Sequence, residues 1–189
     1  MLNTLKQTVN SLLLVVPATI MFNDEIASVA FVQGISMRPA LNPKVDSNIS
    51  DERGNNKIQD IVLMDCISAN QNFLERGDVI VLDNPHQRKK KIVKRLVALP
   101  GDWVKTRKGD LKHVPKGKVW VEGDNFKYST DSEKYGPIPI SMVKAKVSWI
   151  IWPPSRWGKV TDARKDKDSR IFIANENDFP RRRSRNDFW

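Results

Sequence analysis

Beyond residue 26 the chain is a succession of short apolar runs with Gly and Pro between many of them. Such runs have the length of buried strands, and no long amphipathic helical pattern interrupts them. Turn signals such as Pro-Gly separate one run from the next. The runs are residues 27–33, 61–66, 79–82, 92–99, 103–106, 118–121 and 144–152. This pattern predicts a mainly β domain, built as a folded sheet or barrel.

The first 26 residues contain a continuous apolar run, Ser11–Phe22, with Lys6 before it and polar residues 23–25 after it. A straight bilayer-spanning helix needs about 20 apolar residues, so this run must recruit part of the polar segment before it. The competing interpretations are the apolar region of a cleaved signal peptide and a buried core helix. Because no small-residue cleavage site follows the run, we expect one uncleaved membrane-anchor helix over residues 1–26.

The formal net charge is +10, from 32 Lys and Arg against 22 Asp and Glu. An excess of this size suits nucleic acid, an anionic membrane surface or an acidic partner. The basic residues concentrate at residues 88–91, which we expect in a hairpin tip or loop, and in the tail beyond residue 156. Aromatic residues that stack on bases are not interleaved with these runs, so we expect no nucleic acid as partner. The alternatives are a solvated charged surface and contact with anionic lipid.

Composition divides the chain into three parts. We expect the anchor at residues 1–26, a β domain at residues 27–158, and a basic, mobile or loosely docked tail at residues 159–189. Within the β domain, residues 44–60 are rich in Asn, Asp and Ser and predict a surface insertion. One cysteine, Cys66, and two histidines exclude an internal disulfide and make a structural zinc site improbable. We therefore expect no metal and no cofactor.

The two histidines, His86 and His113, lie beside a basic run and before a turn, so no Ser-His-Asp triad is convincing. A hydrolase would need another base, and a neutral lysine is the known alternative. In the strand predicted over residues 92–98, alternation places Lys94 on the apolar face and Arg95 on the opposite face. Burial favours the neutral form of a lysine, which makes Lys94 a candidate base. The alternative is an edge strand with Lys94 on its solvent-exposed face.

The candidate nucleophile is Ser36, which follows directly on the first predicted strand. It lies in a turn bounded by Gly34 and Pro39. Such a turn can expose a hydroxyl and leave backbone N–H groups available to an oxyanion. A serine in a Gly/Pro turn is more often an ordinary turn residue, so the pattern alone leaves both interpretations open.

Four blocks of sequence resemble, in order, the motifs of the type I signal peptidase family, whose members are membrane-anchored Ser-Lys proteases. They are Gly34–Pro39, Arg76–Val81, Lys94–Asp102 and Glu122–Pro137. The resemblance covers roughly residues 5–158. Three stretches are also similar to the mitochondrial inner-membrane members of the family: Val119–Asn125, Tyr135–Pro139 and Ile151–Pro154. The resemblance implies a signal-peptidase-like β domain with one N-terminal anchor helix.

The resemblance implies a role for each matching residue. Ser36 is the implied nucleophile, Lys94 the implied general base, and Ser129 the hydroxyl that orients the lysine amine. An ion pair between Asp124 and Arg95 is implied as well. The remaining supporting residues fix this network or shape the turn around the nucleophile: Asp131, Met37 and Pro39.

Several positions depart from the family pattern. Gly34 stands where bacterial relatives often carry a hydroxyl residue that contributes to the oxyanion hole, so a second oxyanion donor must come from elsewhere or is missing. Ala40 stands where Thr is common. Residues 126–128 and Glu133 replace the more usual polar residues and an arginine, and the insertion at residues 44–60 is longer than expected.

The resemblance implies a serine endopeptidase of the mitochondrial inner membrane whose catalytic domain faces the intermembrane space. It implies removal of N-terminal sorting peptides through an acyl-enzyme. The implied partners are precursor polypeptides, membrane lipid and a homologous protease subunit. One alternative is a non-catalytic scaffold subunit, against which intact Ser36 and Lys94 argue. Another is a self-cleaving repressor-like Ser-Lys β domain, which would need a DNA-binding region before the β domain.

Overall fold

A computed structural model describes residues 27–43, 59–67, 73–160 and 170–173. These residues form two antiparallel sheets, one of eight strands and one of three. The strands are β1 Ala27–Phe31, β2 Ile61–Asp65, β3 Val79–Asn84, β4 Gln87–Ala98, β5 Trp103–Lys105, β6 Leu111–His113, β7 Lys118–Glu122, β8 Ile138–Pro139, β9 Val143–Trp152, β10 Gly158–Lys159 and β11 Ile171–Phe172. One short helix, α1 Ser132–Tyr135, and three 3-10 turns, Phe126–Tyr128, Ile140–Met142 and Pro154–Arg156, complete the described elements.

The prediction of a mainly β domain is confirmed, and each of the seven apolar runs contains a strand. The larger sheet has the order β1-β2-β9-β3-β4-β7-β8, with β10 also paired to β9. The smaller sheet has the order β11-β5-β6. In the larger sheet β4 lies between β3 and β7, so the edge-strand interpretation of Lys94 is wrong.

Three predicted segments fall wholly or mostly outside the described residues: the anchor at residues 1–26, the insertion at residues 44–60 and the tail at residues 159–189. Across the ranges that the structure does describe, no helix has the length and apolar content to cross a bilayer.

The basic run at residues 88–91 was expected in a hairpin tip or loop, and this expectation is wrong. The β3–β4 hairpin turns earlier, at residues 85–86, and the run belongs to strand β4. The side-chain oxygen of Asn84 accepts a hydrogen bond from the N–H of His86 at 2.9 Å. This local hydrogen bond supports a tight turn directly after β3, so the chain has already reversed when the basic run begins.

The core consists of three clusters of buried side chains. One lies beneath β1, β2 and β9 and includes Met37 and Leu41 from the turn that follows β1. The second lies between β3, β4, β7 and the 3-10 turn at residues 140–142, and Ile80, Leu82 and Leu96 are fully buried there. The third joins β4 and β7 to β5 around Trp120. Strand β4 contributes to the second and third clusters, so the residues along it are held rigidly.

At residues 170–173, which the structure describes, the tail is docked on the β domain. Ile171 and Phe172 form β11, which pairs antiparallel with Val104 and Trp103 of β5. Ile171 also packs against the third core cluster. The apolar run at residues 171–174 is too short, within an otherwise polar tail, to be recognised as a strand in the sequence.

Replacing Leu82 by Ala tests the second cluster. Because Leu82 is fully buried, Leu82→Ala should lower the free energy of unfolding by about 2–5 kcal/mol through lost burial and a new cavity. The matched control is Leu111→Ala, since Leu111 is a strand leucine that is 52% exposed and should change stability by only about 0.5 kcal/mol. Denaturant unfolding of the purified chain measures both values. Equal losses for the two variants would contradict this description of the core.

Candidate active site

The turn that follows β1 presents Ser36. Gly34 has φ +90°, a conformation that strains any residue with a Cβ atom. The turn is closed by two backbone hydrogen bonds, from Arg38 N to the carbonyl of Ile35 at 3.2 Å and from Leu41 N to the carbonyl of Met37 at 2.9 Å. Met37 is buried. The left-handed conformation of Gly34 and the buried side chain of Met37 therefore fix the turn, whereas Ser36 itself is only partly buried. Pro39, at the exposed far side, follows a cis peptide bond.

Asn42 holds the other end of this turn, a role that sequence reasoning missed. Its side-chain amide donates to the carbonyl of Val32 at 2.6 Å, and its backbone N–H donates to Asp60 Oδ2 at 2.7 Å. Asp60 N donates in return to Asn42 Oδ1 at 2.8 Å. Arg156 contacts the same Asp60 carboxylate and donates to the carbonyl of Ala40 at 2.7 Å. Asn42 has φ +49°, a conformation that asparagine tolerates, and the sequence signal was limited to an asparagine directly before Pro43.

Lys94 lies in the interior strand β4, paired with Ile80 of β3, and is only 4% exposed. Burial lowers the pKa of its amine below the ordinary lysine value of 10.5, because the charged form is poorly solvated there. Asp131 and Asp124 oppose this effect by raising the pKa, and Lys134 adds to the lowering. The net direction is downward, so the environment of Lys94 moves its amine toward the neutral form.

Ser36 and Lys94 line the same cavity, whose volume is about 440 Å³. Strand β1 and the turn after it form one wall, and residues of β2, β3 and β4 form the rest. The lining is largely apolar and includes Val29, Ala30, Phe31, Val32, Met37, Val62, Met64, Val81, Ile92 and Val93. The structure thus brings the two candidate catalytic residues to one partly apolar cavity.

Arg95 points away from Lys94, as strand alternation requires, and binds Asp124 in a bidentate ion pair. Its Nε donates to Oδ1 at 2.8 Å and its Nη2 to Oδ2 at 2.6 Å. Both side chains are almost completely buried, at 1% and 2% exposure. Arg95 Nη1 also donates to the carbonyl of Gly77 at 2.7 Å. One guanidinium therefore connects the second, third and fourth sequence blocks.

A second bidentate pair joins the second and third blocks. Arg76 Nε and Nη2 donate to the two carboxylate oxygens of Asp102 at 2.8 and 2.7 Å. Asp102 Oδ2 also accepts from the N–H of Leu99 at 2.8 Å. This carboxylate therefore fixes the turn at the end of β4 as well as the start of β3.

The segment between β7 and α1 is folded against the Ser36 turn. Asp131 accepts from the N–H of Gly123 at 2.9 Å and from the N–H of Glu133 at 3.2 Å. Asn125 donates its backbone N–H to the carbonyl of Ser36 at 2.9 Å and its side-chain amide to the carbonyl of Ile35 at 3.1 Å. Asn125 was recognised as part of a block but not as the residue that secures the turn.

Gly123 occupies a position with no room for a side chain. A Cβ atom there would lie 2.3 Å from Ser129 Oγ, 2.6 Å from the carbonyl oxygen of Ser36 and 2.7 Å from Ser129 Cβ. The absence of a Cβ thus lets the segment that carries Ser129 approach the Ser36 turn.

Ser129 is buried, and its hydroxyl makes no hydrogen bond to any other described residue. The hydrogen bond to the Lys94 amine that the resemblance implied is therefore not formed in this structure. A buried hydroxyl without a partner is uncommon, and Ser129 lies in the segment that also holds Asp131, which acts electrostatically on Lys94. Across the described ranges, no group of three or more His, Cys, Asp or Glu side chains is arranged to hold a metal ion.

The family model described as "Signal peptidase, peptidase S26" matches residues 5–113 and 106–152 of this chain. Mitochondrial inner membrane protease subunit 2 from Danio rerio is 36% identical over 157 residues, which is 82% of this chain and 80% of that protein. The Saccharomyces cerevisiae protein of the same name is 36% identical over 76% of this chain and 78% of its own length. Mitochondrial inner membrane protease subunit 1 from Mus musculus is 38% identical over 55% of this chain and 66% of its own length.

Among solved structures, a signal peptidase I from Enterococcus faecalis V583 is similar, with a TM-score of 0.36 and 22% sequence identity. The similarity covers 40% of this chain and 97% of that one.

These comparisons confirm the resemblance that the four blocks indicated, including the similarity to mitochondrial inner membrane protease subunit 2. The location of this chain, the mitochondrial inner membrane, agrees with the names of those relatives. Because the family model matches most of this chain, the chain belongs to the peptidase S26 family of signal peptidases.

Proposed function

We propose that this chain is a serine endopeptidase with a Ser-Lys dyad, which removes N-terminal sorting peptides from precursors delivered to the mitochondrial intermembrane space. The observation that carries the proposal is the position of Lys94, buried in the wall of the cavity that Ser36 also lines. A general base must be neutral near the operating pH, and burial moves the pKa of Lys94 in that direction.

In the first step, the neutral Lys94 amine accepts the proton of Ser36 Oγ while the oxygen attacks the scissile carbonyl carbon. The carbonyl π electrons move to oxygen, and the backbone N–H of Ser36 stabilises the resulting oxyanion. Collapse of this intermediate breaks the C–N bond. The Lys94 ammonium gives its proton to the leaving amine, and an ester to Ser36 remains.

In the second step, Lys94, again neutral, accepts a proton from a water molecule that attacks the ester. The Ser36–acyl bond breaks, Ser36 Oγ recovers the proton from Lys94, and the carboxylic acid end of the sorting peptide is released. Ser129, whose hydroxyl has no hydrogen-bond partner in this structure, would have to turn toward the lysine amine to orient it toward Ser36. Asp131 and the Arg95–Asp124 pair would hold Ser129 in place.

The cavity suits an extended peptide. Within the described residues β1 pairs only with β2, so its other edge offers backbone groups to a substrate strand. The side chains of Val29 and Phe31, exposed by 52% and 67%, line the cavity along this edge. Shallow apolar pockets next to Ser36 would select small residues just before the cut.

The remaining parts of the proposal concern the surroundings of the domain. Residues 1–26 would anchor the chain in the membrane, with the catalytic domain on the intermembrane-space side and its basic surface near lipid. The relatives are named as subunits 1 and 2 of one protease, which supports a homologous subunit as partner in a hetero-oligomer.

Replacing either member of the dyad tests the mechanism directly. Ser36→Ala and Lys94→Met should each lower kcat/KM for a model precursor by about a thousandfold or more, since one lacks the nucleophile and the other the base. Met retains most of the apolar volume of the lysine stem, which limits the effect on folding. The matched controls are Ser141→Ala and Lys127→Gln, because both side chains are exposed. N-terminal sequencing of the product measures processing, and full activity in either dyad variant would refute the mechanism.

The pH dependence follows from the neutral lysine. Protonated Lys94 cannot act as a base, so kcat/KM should rise with pH and level off as Lys94 loses its proton, with a midpoint below 10.5. The positive charge of Lys134 lowers the pKa of Lys94, so Lys134→Gln should move this rise to higher pH. This shift in the pH at which kcat/KM rises should be smaller at high salt, because Lys134 is exposed and its charge is screened. Lys127→Gln is the charge-matched control, and an unmoved profile in Lys134→Gln would contradict the electrostatic model of the site.

A substitution at Gly123 tests whether the segment that carries Ser129 must approach the Ser36 turn closely. Gly123→Ala should lower kcat by about tenfold to a hundredfold, because the new methyl group must displace Ser129 or the Ser36 carbonyl. Adding Ser129→Gly removes only the Ser129 contact, so the double variant should not recover activity. A Gly123→Ala variant with normal kcat for the model precursor would show that the packing of these segments does not control the reaction.

A further inference from the structure

A described segment of the C-terminal tail lies against the catalytic domain. Its backbone is fixed on β5 by the strand pairing of Ile171 with Val104 and by a hydrogen bond from Lys105 N to the carbonyl of Arg170 at 2.8 Å. The match to the family model ends at residue 152, so this segment lies beyond the part of the chain that the family pattern covers.

The side chain of Arg170 reaches from this strand to two glutamates. Its Nη2 donates to Glu122 Oε2 at 2.7 Å, and its Nη1 donates to Glu133 Oε1 at 3.0 Å. Glu122 is the last residue of β7 and Glu133 belongs to α1. The segment between these two glutamates carries Asp124, Ser129 and Asp131. One guanidinium therefore joins the beginning and the end of the segment that holds the supporting residues of the dyad.

Glu122 is buried at 2% side-chain exposure. Burial alone would raise its pKa, but hydrogen bonds from Arg170, Arg107 and Trp120 outweigh this effect and hold the pKa below the usual range. Arg107 Nη2 donates to Oε2 at 2.9 Å and Trp120 Nε1 to Oε1 at 2.9 Å. A carboxylate that is ionised in a buried position requires its cations, since an unpaired charge there is strongly destabilising.

Arg107 completes the cluster from the turn between β5 and β6. Its backbone N–H donates to the Glu133 carboxylate at 3.1 and 3.2 Å, and its guanidinium lies 4.6 Å from the centre of the Phe126 ring. Two arginines thus face two glutamates, and the formal charges of the four side chains cancel. Removing Arg170 would leave a net negative charge beside the segment.

The cluster is connected to the site through hydrogen bonds from backbone N–H groups to the Asp131 carboxylate. The residue after Glu122 is Gly123, whose N–H donates to Asp131, and the N–H of Glu133 donates to the same carboxylate. A displacement of either glutamate would therefore displace Asp131, which acts on the charge of Lys94.

We propose that Arg170 is a positioning residue of the active site and that residues 170–173 form a C-terminal clamp on the segment between Glu122 and Glu133. The clamp rests on the proposed function, because it acts by holding Ser129 and Asp131 in place for the Ser36–Lys94 dyad. It also accounts for Glu133, which stands where the family more usually has an arginine: in this chain the cation comes from the tail.

The first test compares Arg170→Gln, Arg170→Lys and the control Lys159→Gln in the full chain purified in detergent. Arg170→Gln should lower kcat for a model precursor about tenfold, the scale of a small misplacement of supporting groups. KM should stay within about twofold, because Arg170 does not line the cavity. Arg170→Lys should recover part of the loss, since lysine keeps the charge but lacks the fork that reaches two carboxylates. Lys159 lies in β10 and is exposed, so Lys159→Gln should match the parent chain.

The second test uses truncation. A chain that ends after Ile173 keeps the clamp and should retain the parent kcat. A chain that ends after Val160 lacks it and should lose activity to the same extent as Arg170→Gln. Equal activity of the two truncated chains would overturn the clamp. So would an equal loss in Arg170→Gln and Lys159→Gln, which would indicate a general effect of charge.

Hydrogen exchange of backbone amides tests the clamp independently of the proposed catalytic function. In Arg170→Gln the amides of Gly123, Asn125 and Glu133 should exchange about tenfold faster than in Lys159→Gln, because their segment opens more often. Unchanged exchange at these amides would overturn the clamp whatever the activity. A parent chain that cleaves no precursor, or a Ser36→Ala variant that does, would refute the proposed function alone, and exchange would still decide on the clamp. If Arg170→Gln does not fold, the same comparison is made with Arg170→Lys.

Discussion

The buried ion pair between Arg95 and Asp124 is the constraint on which the rest of the candidate site depends. Breaking such a pair leaves an uncompensated charge in the interior, at a cost of about 3–5 kcal/mol. Arg95 follows Lys94 in β4, so the pair fixes the strand that carries the lysine to the segment that carries Asp131. The third hydrogen bond of Arg95, to the carbonyl of Gly77, attaches the start of β3 as well. Alternation along this single strand thus places Lys94, the candidate base, on one face and Arg95, which forms the ion pair, on the other.

The same use of arginine recurs through the described domain, in ion pairs that add nothing to the net charge of +10. Arg76, Arg156 and Arg170 each bind a carboxylate that is almost fully buried, on Asp102, Asp60 and Glu122 respectively. A planar guanidinium suits this role, because it bridges carboxylates and carbonyls in a fixed geometry. These arginines connect segments that are distant in the sequence. Each is therefore occupied within the protein and does not form a basic surface for nucleic acid.

The sequence predicted the long strands and the residues of the family blocks, but not the contacts that depend on the fold. Strands β8, β10 and β11 have two residues each, too few for a period of two to be recognised, and they exist because a neighbouring strand offers pairing. Asn125 was recognisable as part of a block, yet its side chain binds a carbonyl 90 positions away in the sequence. Gly123 was visible as a glycine, but the reason for it lies in the approach of Ser129 and the Ser36 carbonyl. Residue propensity and sequence pattern describe residues that are neighbours along the chain, whereas the roles of Asn125 and Gly123 depend on residues that are neighbours only in the folded structure.

The arrangement of carboxylates explains how Lys94 can lie near two acidic residues and still have a lowered pKa. Two anions beside a lysine would ordinarily stabilise its charge and raise its pKa. Here the Asp124 carboxylate is compensated by both ends of the Arg95 guanidinium, and Asp131 accepts two backbone N–H groups. Because these partners stabilise the two carboxylates, burial has the larger effect on Lys94, and the pKa of its amine stays below the ordinary value. The carboxylates that give the site its shape thus raise the pKa of Lys94 by less than burial lowers it, as the proposed mechanism requires of its base.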